Sequence, residues 1–109
     1  MTDYGGSESY TVQHVLNIMN DHIVAIEDII ANEHTSRFVP IPQTQAKINE
    51  TMEIMVGGLE AMLTWNGLDA LGNALPANTQ PDVAGYSGDK STYTDAITSG
   101  KTYITNNPT

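Results

Sequence analysis

Three histidines, His14, His22 and His34, are the residues of this chain best suited to proton transfer or metal binding, and they stand eight and twelve positions apart. Two ligands on one helical face need a spacing of about three or four residues, so no two of these histidines form a helical metal site. The sequence contains no cysteine, which removes thiolate zinc sites, disulfides and thiol redox chemistry. Asp21, Glu27 and Asp28, and separately Glu50 and Glu53, bring carboxylates close together in sequence. They fall opposite the apolar positions of their segments, and nothing around them suggests the buried pair that general acid/base work requires. Gly5-Gly6 and Gly57-Gly58 neither follow a strand nor precede a Lys-Ser/Thr pair, so no phosphate-binding loop is present. No serine lies in a Gly-x-Ser-x-Gly elbow, and the Asn49-Glu50-Thr51 triplet falls within a helical segment, where it reads as a chance match to a glycosylation site. No residue is therefore assigned to catalysis, to a cofactor or to a metal, and the chain reads as non-enzymatic.

Packing residues are more prominent. Val12, Leu16, Met19, Ile23, Ile26 and Ile30 recur at spacings of four and three, which predicts an amphipathic helix from about Tyr10 to Glu33 with Ser7 or Ser9 as its N-cap. Val15, Ile18, Val24 and Ile29 lie beside that seam and widen the apolar stripe beyond what one neighbouring helix covers. A second partner surface is implied. Arg37-Phe38-Val39-Pro40-Ile41-Pro42 breaks the pattern, because each proline lacks an amide donor and pushes its predecessor toward extended backbone. A second helix begins near Thr44, with Ile48, Met52, Met55, Leu59 and Met62 in the same rhythm. The expected fold is thus mainly α: two amphipathic helices forming a hairpin or joining a multi-chain helical bundle. Gly57-Gly58 inside the second helix either kinks it or admits another backbone, and the kink is the plainer reading. After Trp65-Asn66-Gly67, a short third helix is expected with Leu68, Leu71 and Leu75 on one face, Asn66 as its cap and Pro76 as its stop.

Beyond Pro76 the composition turns to Thr, Ser, Gly, Asn and Pro, with isolated apolar points at Val83, Tyr86, Tyr93, Ile97, Tyr103 and Ile104. Residues 77–109 read as a long irregular C-terminal arm, with a short helix over Ser91–Ser99 ended by Gly100 or a hairpin turning there as its local options. The organisation expected is a flexible lead over 1–9, a helical body over 10–76 and the arm over 77–109. So polar a segment cannot bury enough surface to order itself, so neighbouring chains are expected to hold it.

Trp65-Asn66-Gly67 resembles the Trp-x-Gly turn of the early-secreted-antigen family, small acidic Cys-free helical hairpins exported by type VII secretion systems. The resemblance implies a secreted hairpin protein. In that family the turn joins the two long helices, whereas here it follows both of them. Tyr86 and Tyr93 also lack the acidic residue four positions on that the family's export signal carries.

Thirteen acidic against four basic residues give a formal charge of −9 over 109 residues. That charge repels phosphate backbones and anionic lipid headgroups, so neither nucleic acid nor a membrane surface is an expected partner. No stretch is long and apolar enough to span a membrane, and Met1–Ser9 lacks the layout of a signal peptide. The expected partners are other protein chains, as a homo-oligomer or as neighbouring structural proteins. The expected role is a structural subunit of a larger assembly, with a virion component (minor capsid, connector, fibre-attachment or decoration protein) ahead of an exported hairpin or a soluble regulatory adaptor. The expected interface residues are Leu16, Ile23, Ile26, Ile30, Met52, Met55, Leu59 and Met62 on the helices, Trp65 after them, and Tyr86, Tyr93 and Tyr103 as anchors in the arm.

Overall fold

The computed structural model describes residues 11–76 and 79–109. The expected N-terminal lead, with Ser7 and Ser9, lies outside the described residues. Helix α1 spans Val12–Asn32, and its N-cap is Thr11, whose hydroxyl accepts from the His14 amide at 3.1 Å. Helix α2 spans Gln45–Thr64 and starts in the same way, with the Thr44 hydroxyl accepting from the Lys47 amide at 3.2 Å. Helix α3 spans Ser91–Asn106. All three pairs of helices are in contact, and the described chain is mainly α with α1 and α2 packed as a hairpin.

The turn between α1 and α2 is closed by its own side chains. A single 3-10 turn, Glu33–Thr35, follows α1, and Glu33 adopts a positive φ of 48° while its amide still bonds to the Ile29 carbonyl. Ser36 is fully buried, and its hydroxyl donates to Asp28 Oδ1 at 2.6 Å and accepts from the Phe38 amide at 3.2 Å. Gln43 Nε2 then ties the far side of the turn to the Ser36 and Val39 carbonyls. The Ile41–Pro42 peptide is cis. These bonds satisfy backbone groups that the prolines and the helix end would otherwise leave open.

One core runs through the three helices. Val15, Leu16, Met19, Ile26 and Ile29 of α1 meet Ile48, Met52, Val56, Leu59 and Met62 of α2, and Tyr93, Ala96 and Tyr103 of α3 close the third side. The second neighbour called for by the wide stripe on α1 is thus α3 of the same chain. The polar end-to-end ties fix its direction: the Tyr103 hydroxyl reaches Glu33 at the end of α1, and the Asn107 carbonyl accepts from Asn49 near the start of α2. The helices therefore run up, down and up.

Several expectations are corrected. The short helix after Asn66 does not form. Gly67 and Gly72 sit at φ of 74° and 85°, and Asp69 Oδ1 accepts from the Leu71 and Asn73 amides, so the backbone closes a tight loop with Leu68 bridged to Ala74. The C-terminal stretch is not irregular throughout, since α3 continues six residues past Gly100, to Asn106. Gly100 is a buried crossing point: a Cβ there would stand 2.5 Å from Val56 Cγ2. Helix α2 runs continuously from Gln45 to Thr64 with Gly57-Gly58 inside it, as expected. At Gly58 a Cβ would meet the His22 ring at 2.9 Å, which is the close approach of α1 to α2. Helix α3 packs on α1 and α2 of its own chain.

Candidate interaction surface

The residues nominated from sequence divide into three groups. Leu16, Ile26, Met52, Leu59, Met62, Tyr93 and Tyr103 are buried in the chain's own core. Ile23, Met55 and Trp65 are half-buried against it. Ile30 and Tyr86 reach the surface. Most of the expected docking seam is buried in the chain's own core, and other residues carry the exposed apolar surface.

The tyrosines illustrate this burial. Burial pushes the Tyr93 phenol above its ordinary pKa, and the nearby Tyr86 adds to the effect. Burial also raises Tyr103, whose hydroxyl donates to Glu33 Oε2 at 2.8 Å and accepts from Gln45 Nε2 at 3.1 Å. Gln45 Nε2 also donates to Asn49 Oδ1, and Asn49 Nδ2 donates to the Asn107 carbonyl. Each member of this network is satisfied by a partner in the same chain, so it fastens α3 across the end of the hairpin and holds nothing out for a ligand.

Large apolar side chains that the core leaves out lie elsewhere. Leu71 is 85% exposed at the tip of the loop after α2, and Leu68 lies partly exposed below it. That loop is not slack. Besides the Asp69 bonds, the Leu75 amide bonds to the Gly67 carbonyl at 2.9 Å and the Gly72 amide to the Asp69 carbonyl at 3.0 Å. The Asn73 amide foremost, with that of Leu71, holds the Asp69 carboxyl below its ordinary pKa. The base of the loop is pinned from the other side, where the Ala84 amide bonds to the Trp65 carbonyl and Val83 is buried. Lys90 Nζ donates to the Val83 and Ala84 carbonyls. At the opposite end of the hairpin Ile41 is 88% exposed, and Ile54 on the outward side of α2 is 63% exposed.

Among the described residues, no group of three or more His, Asp or Glu side chains is close enough to hold a metal ion, and no helix is long and apolar enough to cross a membrane. His22 Nδ1 lies 2.9 Å from the Ile18 carbonyl and His34 Nδ1 lies 2.7 Å from the Gln43 carbonyl, so each is engaged by local backbone. No protein-family model matches the sequence, and no curated protein and no solved structure matches the chain. The surface must be read from its own chemistry.

Sequence reasoning missed Leu71, Ile41 and Ile54 as outward residues. Leu71 carried a signal, because Asp69-Ala70-Leu71-Gly72-Asn73 places turn formers on both sides of it. The periodic match of Leu68, Leu71 and Leu75 to a helix hid that signal. Ile54 was legible as well, since it falls opposite Ile48, Met52 and Leu59 on the helical wheel.

Proposed function

We propose that the chain is a non-catalytic helical subunit of a larger protein assembly, joined to its neighbours by apolar side chains that its own core leaves uncovered. The observation that carries this reading is Leu71, 85% exposed on a loop whose backbone is fixed by several hydrogen bonds. A single exposed leucine on a mobile loop would carry no such implication. A leucine held at a rigid tip can enter a partner's pocket without the entropy cost of ordering the loop. The formal charge of −9 favours a basic or neutral protein surface over nucleic acid or an anionic membrane. A narrower form of the proposal makes the assembly a virus particle with the chain as a minor capsid, connector, fibre-attachment or decoration protein; its support is the resemblance of a small, acidic, three-helix subunit to such parts, an analogy of architecture.

The test is native mass spectrometry and light scattering of the chain recovered from its source under mild conditions, beside a Leu71→Asp variant. A stoichiometric complex with defined protein partners, lost or weakened at least tenfold by Leu71→Asp while the helical circular dichroism of the variant is unchanged, is the expected result. Recovery of the wild-type chain as a free monomer would overturn the reading.

A further inference from the structure

The middle of α2 holds a glycine that the fold does not need. Gly57 lies on the exposed side of the helix, and a Cβ placed on it would meet none of the described residues within 4 Å. A glycine at such a site costs about 1 kcal/mol relative to alanine. Its neighbour Gly58 is explained by the His22 ring and Gly100 by Val56, but no contact among the described residues explains Gly57. What the missing side chain does provide is room for a foreign backbone to approach α2 closely.

That room opens onto a groove. Between α2 and α3 lies a depression of about 480 Å³ lined by Glu53, Val56, Gly57 and Glu60 from one helix and Lys101, Ile104 and Thr105 from the other. Val56 and Ile104 are its apolar lining, and residues of two adjacent helices form its walls, the setting into which the ridge of another helix packs. Ile54 stands exposed one turn before Gly57. The rim is charged and not balanced. Lys101 is already engaged by Glu60 in an ion pair, whereas Glu53 makes no ion pair among the described residues. Glu53 and Glu60 are seven residues apart, so they project from the same side of α2 two turns from each other. A second copy of this chain would bring a further formal charge of −9 and the same acidic rim, and the repulsion argues against it.

We infer that the α2–α3 groove at Gly57 receives an amphipathic helix of another protein, with a small or aliphatic ridge seated on Val56, Gly57 and Ile104 and with Lys or Arg on its flank facing Glu53 and Glu60. This inference rests on the interaction-subunit reading and names one partner class for it, on a surface distinct from Leu71.

The experiment uses the full chain and a stapled helical peptide with an Ala/Leu ridge and lysine flanks, with a glutamate-flanked peptide of the same ridge as control, read by fluorescence anisotropy. The lysine peptide should bind at least tenfold more tightly than the glutamate peptide, and added salt should weaken it. Gly57→Leu, whose side chain starts from a Cβ with no described neighbour within 4 Å, and Glu53→Lys should each weaken binding at least tenfold while thermal unfolding stays unchanged or moves up. Equal binding of both peptides, no binding of either, or full binding to Gly57→Leu would overturn the inference. So would a wild-type dimer that Gly57→Leu converts to a monomer, which would assign the groove to a second copy. If the native complex is lost in Leu71→Asp but persists in Gly57→Leu, the groove inference fails and the broader reading stands.

Discussion

The α1–α2 hairpin and α3 are built from different materials. The hairpin is closed by Leu16, Met19, Ile26, Ile29, Ile48, Met52 and Leu59, side chains whose burial each contributes roughly 1.5–3 kcal/mol. Helix α3 is seated on the hairpin through Tyr93, Ala96, Gly100 and Tyr103, and its outward residues are mostly Thr and Ser. A small residue at each close crossing and a tyrosine at each end let α3 approach tightly with little aliphatic surface. It holds by proximity and by hydrogen bonds at its C-terminal end, where the hairpin holds by volume.

If that contrast is correct, the largest single loss should come from the hairpin. Leu59 is fully buried, and Leu59→Ala should lower the unfolding free energy by about 2–5 kcal/mol in urea denaturation. Gly100→Ala should act chiefly on the seating of α3 against α2. The new methyl would press on Val56 Cγ2 and Met52 Sδ, an overpacking cost of about 1–3 kcal/mol, partly offset by about 1 kcal/mol of gained helix propensity. Amide exchange in α3 should rise in this variant while α1 and α2 stay protected. Uniform loosening of all three helices would show that α3 is not a separable layer.

The same contrast decides what could be read in the residues. The four-three rhythm of large aliphatic side chains exposes α1 and α2, because each turn contributes an unmistakable apolar residue. Helix α3 has the same rhythm, Tyr93, Ala96, Gly100 and Tyr103, but it is written in residues that also occur in loops. Gly100 misleads most, since glycine ends helices far more often than it sits buried within one. The loop after α2 misleads in the opposite direction. Leu68, Leu71 and Leu75 have helical spacing, yet Asn66 and Asp69 draw their neighbours' amides to their own side chains, and Gly67 and Gly72 take conformations that no helix contains. The outward surface was legible only in part, because a sequence shows which residues are apolar before it shows which of them the core has room for.

Alkali should separate the two regions more gently. Tyr93 and Tyr103 both titrate above their ordinary value, chiefly because burial disfavours the phenolate. Their contribution to stability is therefore complete below the unfolded tyrosine pKa of about 10 and is lost as pH rises through the folded values. The docking of α3 should weaken in that window, seen as loss of near-ultraviolet dichroism together with the phenolate absorbance, and Tyr103→Phe should remove part of the transition. In acid the sign reverses for Asp28, which Ser36 foremost holds below its ordinary value. Its contribution is present above the usual carboxylate range and fades as pH falls beneath it, loosening the α1–α2 turn and not α3.

The smallest effect tests the paired glycines of α2 against each other. A methyl at position 57 would point into open space, so Gly57→Ala should gain about 0.5–1 kcal/mol from helix propensity and from the reduced freedom of the unfolded chain. A methyl at position 58 would stand 2.9 Å from His22 Nε2, so the same gain must be set against displacement of the imidazole and of its 2.9 Å contact with the Ile18 carbonyl. Thermal melts of the two variants should therefore move apart, with Gly57→Ala rising and Gly58→Ala unchanged or falling. Because the two positions are adjacent in one helix, propensity is the same for both and only the surroundings differ. Equal stabilisation would mean that His22 yields without cost, and the close approach of α1 to α2 at Gly58 would then be a tolerance of the fold and not a requirement.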